Sequence, residues 1–219
     1  MKKKITVLML MFCLVFTTLV GCGSKVDEQK FMRAVLAASY KDEYSEYAEM
    51  KGITEAEAKA EVEKYYENEL AIIEGGDSLT DQQMNAVDEM RKNRGKCAKY
   101  EVVGSQKISS ELYSVQIKVQ RAHLLDKAFR NSWNEFLQVL SSSTTPGEIY
   151  LILAKNIQSV VDEGVEYDEE EIVNITVDVD AGMFSTSYEL DDSQQKAMLS
   201  ALFDYTDYEN SIKELQSQL

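Results

Sequence analysis

The chain holds one histidine, His123, three cysteines, Cys13, Cys22 and Cys97, and 38 acidic side chains against 23 basic ones. A Ser-His-Asp or Cys-His catalytic unit would have to be built on His123. No serine stands in a Gly-x-Ser-x-Gly elbow, and His123 follows a strand-like run, where polar residues are common. Zinc takes three or four His, Cys or carboxylate ligands, so one histidine and Cys97 leave no structural zinc site. Cys97 reads as a small buried apolar residue rather than a reactive thiol. Hard oxygen ligands are plentiful: Glu166, Asp168, Glu169, Glu170 and Glu171 are clustered, and Asp178-Val179-Asp180-Ala181-Gly182 has the start of a calcium loop. That loop needs glycine at position six and a glutamate at twelve. Here the glycine falls at five, so solvated charge is the better reading. Paired carboxylates could hydrolyse a glycoside, but the required separation of about 5 to 9 Å cannot be read from spacing. Gly75-Gly76 lacks the Lys-Ser/Thr sequel of a phosphate loop and reads as a helix stop. Twelve tyrosines and one tryptophan remain. Tyr44, Tyr47, Tyr65, Tyr66, Tyr100 and Tyr113 could line a groove, since aromatic residues favour binding surfaces, although straddling core and solvent is the plainer role for them. Tyr100, Tyr113, Trp133 and Tyr188 are the candidate ligand-binding positions. No catalytic set, metal site or cofactor is expected.

The cysteine with the clearest context is Cys22. Met1-Lys2-Lys3-Lys4 is a basic start, Ile5 to Val20 is an uncharged apolar run of 16 residues, and small Gly21 precedes the cysteine. This is the plan of a secretory signal. The run falls short of the roughly 20 residues a membrane span needs. Leu19-Val20-Gly21-Cys22 resembles the lipobox of bacterial lipoproteins. The resemblance implies diacylglycerol transfer to the Cys22 sulfur and cleavage before it. Two acyl chains, at about 0.8 kcal/mol per buried methylene, would hold the chain stably on a membrane.

With residues 1–21 removed, three lysines leave and 198 residues remain, carrying 20 basic and 38 acidic side chains, a formal charge of −18. That length suits one domain with a real core. The acidity argues against nucleic acid, where basic patches supply affinity, and against lying flat on anionic lipid. Cys97 alone can form no intrachain disulfide, so the domain must rest on its apolar core. A lysine-rich, disulfide-free style points to a Gram-positive envelope.

The elements that must position any site follow from periodicity. Residues 22–27 are the lipidated cysteine and a short tether. Helical spacing runs from Val26 to Tyr40 (Phe31, Val35, Leu36, Ser39), breaks near Asp42, resumes through Tyr44, Tyr47 and Met50, and stops at Gly52. Thr54 with Glu57 and Thr80 with Gln83 are capping boxes, opening helices to about Glu74 and Gly95. The period then becomes 2: Tyr100 and Val102, then Tyr113, Val115, Ile117 and Val119, form an antiparallel pair. Leu124 to Leu140 is helical, 141–147 is a loop holding the only proline, and a helix runs from Glu148 to Asp162. Ile175, Val177 and Val179 pair with Phe184, Thr186, Tyr188 and Leu190 across a turn at Ala181-Gly182. Asp191 or Asp192 caps a last helix to Phe203. The segment 206–219 reads as a loosely held helix or tail.

This order predicts a single α+β domain over 28–205, with helices packed on one face of an antiparallel sheet built from two β-hairpins. A helix pair followed by a hairpin occurs over 54–121 and again over 124–190, a two-half pattern with little residue-level similarity. The element order resembles the cystatin-like and nuclear-transport-factor-like α+β domains of small Gram-positive lipoproteins, a fold that fixes no function. The expected role is a lipid-anchored binding or protein-interaction module on the outer face of the cell membrane, its partner an envelope protein or small ligand. The alternatives are an envelope hydrolase using paired carboxylates and a small solute-binding lipoprotein. Replacing Cys22 with alanine is expected to abolish incorporation of labelled palmitate and to release the chain from the membrane fraction. Retention in that fraction would exclude the anchor.

Overall fold

The computed structural model describes residues 26–70, 79–141, 147–181 and 186–217. The signal at 1–21, Cys22, the Gly75-Gly76 stop, Pro146, the turn at Gly182 and Phe184 lie outside the described residues, as do the side chains of Tyr65 and Tyr66. The described residues form an α+β fold of nine helices and one four-stranded antiparallel sheet.

Three helices open the domain. In α1 (Glu28–Lys41), Asp27 caps the start by accepting from the Lys30 amide at 2.8 Å, and Asp42, in the left-handed region at φ 59°, ends it. The shorter α2 (Ser45–Lys51) stops at Gly52, φ 68°, whose amide donates back to Ala48 and Glu49. Thr54 and Glu57 exchange amide bonds at 2.8 and 3.2 Å to open α3 (Glu55–Leu70). Thr80 and Gln83 form the second reciprocal box, at the head of α4 (Asp81–Cys97). Gly95, expected near the end of that helix, lies inside it. A Cβ there would sit 2.4 Å from the carbonyl oxygen of Tyr40. The glycine admits the end of α1 against α4 and does not stop the helix.

The strands are β1 (Lys99–Lys107), β2 (Leu112–Gln120), β3 (Glu171–Ala181) and β4 (Thr186–Glu189), in sheet order β1-β2-β3-β4. Val103 is the extra residue of a bulge between Val102 and Gly104. The two hairpins join through β2 and β3, with Val115 opposite Ile175 and Tyr113 opposite Val177. Val115, Ile117, Val119, Ile175, Val177 and Val179 are buried under helices, while Gln116, Lys118, Asn174 and Asp178 face away from them. The predicted one-sided layering is what the chain adopts.

Between the hairpins, the helix expected from Leu124 to Leu140 is two helices, α5 (Leu125–Asn131) and α6 (Trp133–Ser141). Buried Ser132 stands at the break, its hydroxyl donating to the Ala128 carbonyl at 2.8 Å. Such back-bonding competes with the helical ladder. α7 (Glu148–Glu163) ends at Gly164, φ 99°. Asp191 caps α8 (Asp192–Leu202) through the Gln194 amide. The segment expected as a loosely held helix or tail is a helix, α9 (Tyr205–Gln216), and it is packed on the domain: Tyr208, Ser211 and Leu215 are buried, and Tyr208 meets Phe129 edge-on at 5.4 Å. Tyrosine and serine at its buried positions hide the apolar stripe from a sequence reading.

One junction ties these pieces together. Ala122 bridges to Tyr167 on one side and Phe203 on the other. Its amide donates to Leu202 and its carbonyl accepts from Asp204. The buried Asp204 carboxylate then accepts the amides of Leu124, Leu125 and Asp126 at 3.1, 2.6 and 3.1 Å, capping α5 from 80 residues away. Burial pushes the Asp204 carboxyl above the ordinary aspartate range, against the opposing pull of the backbone amides. Asp204→Ala leaves those amides without an acceptor and is expected to lower unfolding free energy by about 2–3 kcal/mol in urea titrations. Asp204→Asn, which keeps one acceptor oxygen, is expected to lose roughly half of that. A carboxyl raised on folding stabilises fully below its unfolded value and loses that contribution as pH climbs through its folded value. Wild type should therefore gain on Asp204→Asn as pH falls, and a gap that widens with rising pH would contradict the assignment.

Candidate functional site

A cleft of about 530 Å³ lies where α1, α2, α3, α8 and the end of β4 meet. Its floor follows from helical spacing. Phe31, Val35 and Ser39, four residues apart, put one stripe of α1 along it, and Tyr47 and Lys51 do the same on α2. Met198 and Leu199 of α8 and Leu190 close the opposite wall. Tyr188 stacks on Phe31 with ring centroids 5.0 Å apart and planes 15° apart, and Tyr47 tilts against Phe31 at 6.3 Å. The Tyr188 hydroxyl accepts the Asp27 amide at 2.8 Å, so the first residues of the domain are fastened to the cleft floor.

The rim is charged. Lys51 pairs with Glu61 at 3.2 Å and lies 5.6 Å from the Tyr47 ring centre, and the Tyr47 hydroxyl donates to Glu61 at 3.1 Å. Burial, assisted by Glu61, raises the Tyr47 phenol above its ordinary value despite Lys51. Arg94, only 2% exposed, reaches the cleft with its guanidinium 5.1 Å from the Phe203 ring centre. Asp191 is committed to its cap, where the Ser193 hydroxyl and Gln194 amide hold its carboxyl below the usual range.

An open groove between the end of α2 and strands β3 and β4 adjoins the cleft and shares Lys51, Tyr188 and Glu189 with it. Glu49, Glu111, Asp178, Asp180 and Glu189 line it, with Lys51 the one cationic side chain among the described residues that do. Glu49 pairs with Lys30 at 3.6 Å. Glu111, Asp178, Asp180 and Glu189 are exposed and form no ion pair with another described residue.

Of the four aromatic candidates, Tyr188 alone lies in this cleft. Tyr100 is structural: its hydroxyl donates to the Leu36 carbonyl at 3.2 Å, and burial pushes its phenol up to about 12. Tyr113 lies on β2 with Lys107 5.5 Å from its ring centre. Trp133 packs edge-on against Phe129 at 6.0 Å, beside a shallow depression it shares with Arg130, Asn134 and Glu214. Tyr47 lines the cleft, whereas Tyr44 bonds Asp42 at 2.9 Å beside Arg91, its phenol raised to about 12 by burial and by that aspartate. Phe31, Val35, Ser39 and Gln195 were not singled out by their types. The i, i+4, i+8 stripe on α1 was visible, but such a stripe ordinarily means core.

The remaining chemistry-bearing residues are engaged elsewhere. His123 Nε2 is 2.8 Å from Asp168 on the surface, where Arg121 joins the same carboxylate. Glu166 pairs with Lys127, Glu170 with Lys118 and Glu171 with Arg121, so most of the acidic segment is spent on surface ion pairs. Among the described residues there is no group of three or more histidine, cysteine or carboxylate side chains able to hold a metal. Cys97 is buried, and burial raises its thiol away from the reactive thiolate form. Asp204, the carboxyl that burial raises, lies outside the cleft and is occupied with the α5 amides.

No protein-family model and no curated protein matches the chain. Among solved structures it is similar to the crystal structure of a Bacillus subtilis protein, ycdA, provisionally described as a lipoprotein. The likeness has a TM-score of 0.52 at 14% identity and covers 80% of this chain and 56% of that one, so the chain spans about half that protein's length. At that identity the two have a fold in common, an α+β architecture also found in a protein described as a lipoprotein.

Proposed function

We propose that this chain is an exported lipoprotein, held on the outer face of a membrane by a lipid on Cys22, whose α+β domain works by binding a segment of another envelope protein. The observation that carries the reading is the cleft: an aromatic and apolar floor of ligand-binding size, ringed by a few polar groups. The open groove adjoining it favours an elongated segment over an enclosed solute. The lipobox-like Leu19-Val20-Gly21-Cys22 supports the anchor, and the fold held in common with a protein described as a lipoprotein is consistent with it.

The anchor and the cleft are close in the chain. Residues 22 to 27 can span at most about 17 Å, and Asp27 is bonded to Tyr188 on the cleft floor. A partner would therefore be met near the membrane surface. Of the four carboxylates among the described residues lining the cleft, Glu61 and Asp191 are engaged by Lys51, Tyr47, Ser193 and the Gln194 amide, which leaves Glu189 and Asp192 as the pair on which the hydrolase alternative would have to be built.

Ser39 lies half-buried on the α1 stripe along the cleft floor, so Ser39→Trp should fill the site without touching the anchor. In-cell crosslinking of the full anchored chain, followed by mass spectrometry, is expected to recover one dominant envelope protein. Recovery should fall at least tenfold in Ser39→Trp at equal membrane abundance. Equal recovery from both, or scattered background from the wild type, would overturn the reading.

A further inference from the structure

We infer that the turn joining β1 to β2, with Ile108 at its tip, is a second membrane contact: it rests in the headgroup layer beside the Cys22 lipid and sets which way the cleft faces. This rests on the anchor proposed above and adds the surface that meets the bilayer. α1 runs antiparallel to β1. Glu28 and Gln29, in its first turn, bond the Ser105 hydroxyl at 2.6 and 3.0 Å, and the Leu36 carbonyl, further along the helix, accepts from Tyr100 at 3.2 Å. The start of α1, from which the tether leaves, therefore lies at the turn end of the β1–β2 hairpin. The tether reaches at most about 17 Å from Asp27. The three residues from Ser105 to Ile108 carry the hairpin about 10 Å past the first turn of α1. A tether short of full extension thus brings the turn to the bilayer.

Ile108 is 56% exposed, yet its backbone is fixed. The Ile108 and Ser109 amides both donate to the Leu112 carbonyl, at 2.9 and 3.1 Å. An apolar side chain presented on a fixed turn loses little freedom on entering lipid. The short tether makes the encounter intramolecular, so a weak contact suffices. Charge selects this side of the domain. Lys107, Ile108, Ser109 and Ser110 carry one positive charge and no negative one. On the β3–β4 side of the same end, Asp178, Asp180 and Glu111, whose carbonyl accepts the Val179 amide, line the groove. An anionic leaflet attracts the lysine and repels these carboxylates. The domain tips onto the β1–β2 turn, and the groove swings away from the headgroups, open to a partner in the same membrane.

The test uses the full lipidated chain in vesicles of phosphatidylcholine and phosphatidylglycerol at three to one. With Cys22 acylated and Cys97 buried, a nitroxide label is placed at Ser110→Cys or at Glu166→Cys, the latter beside His123 at the far end of β2. Depth is read from collisions with oxygen against an aqueous nickel chelate. The oxygen-to-nickel ratio is expected to be at least fivefold higher at position 110 than at 166. Adding Ile108→Asp should bring it down to the value at 166. A label at 110 as open to nickel as the one at 166, or unmoved by Ile108→Asp, would overturn the proposal. Flotation separates the two readings. A chain that floats with the vesicles while its label at 110 stays in water keeps the anchor and loses the turn contact. A chain that does not float loses the anchor and the contact together.

Discussion

The fold hangs on the short segment from Arg121 to Asp126, where the sheet hands over to the helices. Ala122 is held on both sides by backbone bonds, to Tyr167 and to the Leu202–Asp204 turn. The Asp204 carboxylate then closes the exposed start of α5. Three parts of the chain, some 40 residues apart from one to the next, meet there within one hydrogen-bond network. The amides at a helix start must find acceptors when buried, and Leu124, which stands at the cap position, has no side-chain oxygen. A carboxylate imported from the C-terminal part meets that demand, so α5 and the last two helices are positioned together.

That junction also explains how two hairpins become one sheet. β2 and β3 are separated by three helices, yet they pair over eight positions with their apolar residues in register. The crosslinks of His123 to the Glu166 carbonyl and of Asp168 to the Arg121 carbonyl start that pairing at the end of β2. A slip of one residue would turn Ile175, Val177 and Val179 out to solvent. The buried face is then covered by α1 over β1 and β2 and by α8 over β2 and β3, and Gly95 lets α1 settle onto α4 at a distance no side chain would allow.

Charge is distributed with a pattern that the net value conceals. Around Arg121, Lys118 and Lys127 the acids of 166–171 are neutralised pair by pair. Asp42 and Asp88 hold the Arg91 guanidinium in the same way. Exposed pairs of this kind contribute little stability singly.

The sequence by itself determined the local structure. Both capping boxes, the alternation in the strands, the glycine at the end of α2 and the glycine after α7 act through neighbours in the chain, and they were legible for that reason. The one-sided α+β layering followed from the same periodicities. The tertiary structure alone decided features in which distant residues share a position. Gly95 serves a contact with Tyr40 and not a helix end. Ser132 breaks a helix whose apolar spacing runs on. Tyr208 and Ser211 are core residues despite their polar groups. Tyr188 meets Phe31 across most of the chain's length, while Tyr100, Tyr113 and Trp133, equally aromatic in the sequence, are placed outside the cleft. Residue type sets what a side chain can do, and its placement depends on contacts between parts of the chain that have no local signal.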